Sequence, residues 1–114
     1  MENNINLSVS EEVISTIVEK TVMSIPGIYD INGGLIDGIT NMLGTKRVKG
    51  IKIDMDDKSI SIDIYLIVEY GVKIPDIAWD VQDKVKKTIE DMVEMPVTAV
   101  NVHIQGINFK KKNA

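Results

Sequence analysis

Between Val48 and Gly71 the chain alternates apolar and polar residues in two runs separated by Asp56-Asp57-Lys58-Ser59. A period of two on either side of a short polar stretch predicts a half-buried β-hairpin with a tight turn. In its second strand Ile60, Ile62, Ile64, Leu66, Val68 and Tyr70 share one face, assigned to the core, while Ser61, Asp63, Tyr65, Ile67 and Glu69 share the other.

Two longer segments carry the helical period instead. Val13, Ile14, Ile17, Val18, Val22 and Ile25 recur at spacings of three and four, predicting a helix that Ser8 or Ser10 caps and Pro26-Gly27 stops. The second, about 75–93, has the stripe Ile77, Ala78, Val81, Val85, Ile89 and Met92, with Pro96 beyond its end. Short strands are expected over Ile5–Leu7 and Ile28–Ile31, and a longer one over Val97–Ile107 with Val100, Val102 and Ile104 on one face.

These elements imply an α+β fold: a small mixed β-sheet, made of the hairpin plus a β-α-β crossover, with two long helices on one face. Residues 1–107 form one domain and 108–114, with Lys110, Lys111 and Lys112, a basic disordered tail. The sheet face carrying Asp63, Tyr65 and Ile67 is left for water or a partner. Leu35, Ile36, Ile39, Met42 and Leu43 line one side of a short segment bracketed by glycines, expected to pack on the domain or a sister subunit, or to act as a lid or membrane-facing piece beside Lys46, Arg47 and Lys49.

With 44% hydrophobic and 26% charged residues, the chain has a globular composition, and five aromatics make the core aliphatic. A net charge of −4 speaks against nucleic-acid binding, which is driven by Lys and Arg on phosphates. The start of the chain shows no signal-peptide pattern, and no apolar run approaches about 18 residues, so a cytoplasmic protein without its own membrane span is expected.

Candidate chemistry is sparse. His103 is the single histidine and cysteine is absent, leaving no material for a catalytic triad or a His/Cys metal site. A solvated strand histidine, with an interface or pH-sensing role as alternative, accounts for it. Asp54, Asp56 and Asp57 lack the glycine and distal Glu of a Ca²⁺ loop, and the glycines at 33, 34, 38 and 44 are followed by no phosphate-binding Lys-Ser/Thr. No catalytic, cofactor or metal residue is assigned. Trp79, beside the second stripe, joins Asp63, Tyr65, Ile67 and His103 as the candidate interaction surface.

The order Ile5-Asn-Leu-Ser, Pro26-Gly27-Ile28, Val48-Lys-Gly50-Ile51, Ile62-Asp-Ile-Tyr-Leu-Ile-Val-Glu-Tyr-Gly71, Val81-Gln82 with Lys84-Val85, and Val100-Asn-Val-His-Ile-Gln-Gly106-Ile107 resembles the alkaline shock protein family of Gram-positive envelope stress proteins, in its short housekeeping-like form. Glu94-Met95-Pro96 departs from the glycine-stopped helix end common in that family. The resemblance implies no catalytic residues. It implies a cytoplasmic, self-associating homo-oligomer, peripheral at the membrane through a membrane-anchored protein partner and tied to envelope homeostasis. Some members look connected to fatty-acid metabolism. A non-enzymatic interaction protein is therefore expected, with a lipid or acyl-ligand binder as the alternative.

Overall fold

The computed structural model describes residues 9–32 and 50–109. The strand expected at Ile5–Leu7, the segment around Leu35–Leu43 and the lysine tail lie outside the described residues. The elements run α1 (Glu11–Met23), β1 (Ile28–Ile31), β2 (Ile51–Met55), β3 (Ile60–Glu69), α2 (Ile74–Val93) and β4 (Val97–Asn108).

Ser10 is the residue that caps α1: its hydroxyl accepts the Val13 N–H at 3.1 Å. Ile14, Val18 and Val22 are buried and Ile17 half-buried, but Val13 is 49% exposed, because the core takes a narrower stripe than the apolar pattern offers. In α2 the buried row runs in steps of four through Ile77, Val81, Val85 and Ile89. Val93 continues it, half-buried, so Met92 falls outside and is 60% exposed. This helix closes on Glu94 in the left-handed conformation (φ 55°), whose N–H bonds the Glu90 carbonyl.

β3 holds the sheet together. Its even-numbered side chains from Ile60 to Val68 are fully buried against both helices, as the alternation predicts. Tyr70 departs from it: β3 ends at Glu69, the chain turns at Gly71, and the ring is 70% exposed against Phe109, 5.1 Å between centroids. β2 pairs β3 antiparallel through the turn, where the Asp56 carboxylate accepts the N–H groups of Lys58 and Ser59. β4 pairs β3 parallel over the whole length of both, so the sheet is mixed, and β4 extends one residue further than expected, to Asn108.

β4 occupies one edge of β3, and β1 and β2 therefore share the other end to end. Tyr65 marks the junction: its N–H donates to the Gly50 carbonyl at 2.8 Å and its carbonyl accepts the Asn32 N–H at 2.9 Å. Since one residue's N–H and C=O point to the same edge, Asn32 and Gly50 meet β3 at a single rung.

Candidate interaction surface

The face of the sheet away from the helices is built from the odd-numbered side chains of β3 and their neighbours. Tyr65 pairs with His103 across the parallel ladder, and their rings stack with centroids 4.4 Å apart and planes 13° from parallel. Nε2 of His103 lies 3.0 Å from Oδ1 of Asp63, two residues back along β3. An ionised carboxylate only accepts, so this contact fixes the proton on Nε2 and leaves Nδ1 as an acceptor in the neutral ring. Ile67 continues the row, half-buried, beside Gly106. The structure thus brings Asp63, Tyr65, Ile67 and His103 into one patch.

It does not bring Trp79 there. The indole is 62% exposed on α2, in the helical layer, on the opposite side of the sheet from Tyr65. Gln82, one turn on, donates its Nε2 proton to the Val100 carbonyl at 3.0 Å, so this flank of α2 overlies β4.

The patch depends on an irregularity in β4. Ile60 is paired with Val97 but Ser61 with Ala99, so Thr98 is an extra residue, and only with that offset does His103 stand beside Tyr65. A second shift follows between Ile104 and Gly106. Strand periodicity gives each face but not this register, and so the Asp63–His103 bond is invisible in the sequence.

Charge around the patch is mostly negative: Asp30, Asp54, Asp63 and Glu69 share its face with Lys52. Among the described residues no cluster of three or more His, Asp or Glu side chains is arranged as a metal site, and no helix is long and apolar enough to cross a membrane. A groove of about 560 Å³ opens at the far end of the sheet, lined by Val9, Ile14, Met55, Ile60, Met92 and Met95, with Asp56, Asp57 and Glu94 at its rim.

A solved structure of a MamM variant matches with a TM-score of 0.53 over 87% of this chain and 99% of its own, at 9% identity, a likeness of fold alone. The chain is 32% identical to the protein YqhY of Bacillus subtilis over 93% of its length and 79% of that protein's, and 32% identical to YloU of the same organism over 89% and 87%. It is 25% identical to a Streptococcus pyogenes protein named as a stress response regulator gls24 homologue, covering 93% of this chain and 60% of that one. The family model described as having a cell envelope-related function matches residues 1–109, and with it the resemblance drawn from the sequence is confirmed: the chain belongs to the alkaline shock protein 23 family.

Proposed function

We propose that this chain is a non-enzymatic assembly protein of the cell envelope response, working in the cytoplasm by self-association and by holding a membrane-anchored protein partner, which makes it peripheral at the membrane. The observation that carries this reading is the sheet face that neither described helix covers, where the Tyr65–His103 stack and Ile67 form an aromatic and aliphatic patch pinned by Asp63. Rigid aromatic groups at a half-exposed position lose little entropy on contact and are what protein partners bury. The acidic rim favours a partner with basic residues around its apolar anchor. Replacing Tyr65 and Ile67 together by Ser leaves the core face of β3 untouched. The double variant should fold as the native chain does and lose the membrane-fraction protein that the native chain retains in a pull-down; undiminished capture overturns the assignment of this face.

A second reading, uptake of an acyl chain, is favoured by the groove with Met55, Met92 and Met95, since thioether side chains adapt to irregular apolar guests. Its acidic rim opposes a carboxylate headgroup, so a neutral amphiphile is the suitable probe. Saturable quenching of Trp79-independent probe fluorescence that Met92→Glu abolishes would support it, and no binding to the native chain removes it.

A further inference from the structure

We infer that the outer edge of β4 is where two copies of this chain join, by antiparallel strand pairing about His103. The inference rests on the self-association proposed above and places it at an edge rather than a face.

β4 is an edge strand among the described residues, and its two halves are treated differently. In the first half three outward backbone groups are capped by α2. The Val97 N–H donates to Oε2 of Glu90 at 2.9 Å, its carbonyl accepts from Nζ of Lys86 at 3.4 Å, and the Val100 carbonyl accepts from Gln82. Groups of alternate residues point to the same edge, so Val102 and Ile104 present both N–H and C=O outward like Val100. No side chain among the described residues caps them.

Open edges of this length are ordinarily defended by charge, proline or shortness. The opposite edge has such defences: β1 and β2 are four and five residues long and carry Asp30, Lys52 and Asp54. β4 is twelve residues long and has no Asp, Glu, Lys or Arg, in a chain that is 26% charged. A neutral strand meets its own copy without like-charge opposition, and antiparallel pairing about a two-fold axis is self-complementary.

The register follows from the capping. Pairing Val102 with Ile104 of the second copy, and Ile104 with Val102, satisfies the outward N–H and C=O groups of these two residues in both copies. Centring on Val102 would set Ile104 against Val100, whose carbonyl already serves Gln82. Centring on Ile104 would run into the irregularity before Gly106. In the favoured register the apolar side of each β4, with its half-buried Val102 and Ile104, adjoins that of the other on the helical side of the sheet, and the polar sides adjoin likewise. The Tyr65–His103 patch, on the other face, flanks this seam through His103.

The absence of cysteine allows a direct test. His103→Cys should give an oxidant-dependent covalent dimer of the full chain, because directly opposed positions on antiparallel strands lie within disulfide reach, whereas Asn101→Cys should not. Asn101→Lys with Gln105→Lys should raise the dimer dissociation constant about tenfold or more with the circular dichroism unchanged, and mixing with the corresponding Glu pair should restore dimers. Sedimentation of the native chain separates the two levels. A native monomer at all concentrations overturns self-association itself. A native oligomer that the Lys pair leaves intact, or that Cys at 103 fails to cross-link, overturns the β4 seam while self-association stands.

Discussion

Gly50 lies so close to Asn32 that a β-carbon added at position 50 would stand 2.8 Å from the Asn32 backbone nitrogen and 2.7 Å from Cγ2 of Ile31. The contact is made possible by a φ of +78°, which a residue with a side chain adopts only under strain. Both residues bond Tyr65, so this closeness is what lets two strand segments abut on one edge of β3. Gly50→Ala should therefore destabilise by about 2 kcal/mol or more, measured by urea denaturation, and with a larger effect than Gly71→Ala, where φ is also positive but the space is open.

Ile64 is fully buried at the centre of the row that β3 turns toward the helices. An unpaired carboxylate there has no partner within the aliphatic core. Ile64→Asp should cost about 3 kcal/mol or more and leave little folded protein, whereas Tyr65→Ser next to it should cost far less. Equal losses in thermal unfolding would mean that the two faces of β3 are not distinguished as described.

Ser15 is the one buried polar side chain among the described residues, and its hydroxyl has no partner there. Removing an unpaired buried hydroxyl relieves its desolvation, and alanine is the better helix former. Ser15→Ala should stabilise the domain by about 0.5–1 kcal/mol, read as a raised denaturation midpoint with unchanged slope.

Acid should weaken the fold through two carboxylates. The Val97 N–H, aided by Lys86 and opposed by partial desolvation, holds Glu90 below the ordinary value of 4.5. The N–H groups of Lys58 and then Ser59 hold Asp56 below 3.8. A lowered folded-state pKa means that the unfolded chain binds the proton more readily. The contribution is complete above the ordinary values and is lost as pH falls through the lowered ones. Stability should be level above about pH 5 and decline below it. The pair Glu90→Gln and Asp56→Asn should flatten that decline in denaturation curves taken between pH 6 and pH 2.

Much of this architecture is legible in the residues. The stripes of α1 and α2, the hairpin parity and the Pro-stopped helix ends are local signals, and α1, β1, the hairpin, α2 and β4 formed where those signals placed them. What local signals do not carry is pairing between distant segments. Nothing near Ile28–Ile31 announces that this short strand continues the line of Ile51–Met55, and nothing near Thr98 announces the offset that puts His103 beside Tyr65. Tyr70 departs from its pattern because the period continues past the end of β3, and Met92 because the buried row of α2 runs in steps of four toward Val93 and leaves it outside. The lack of charge from Val97 to Asn108 was visible, yet it acquires meaning only when the strand is found at an edge.

Among the described residues all three ladders of the sheet share β3: β1, β2 and β4 each pair with it and with no other described strand. Such a sheet has no redundancy, since no two strands remain paired once the shared one departs. Its helices, too, rest on the same side chains. The described residues hold no smaller part that can come loose and stay folded, so their unfolding should be a single all-or-none event in which heat, denaturant and every spectroscopic probe report one common midpoint.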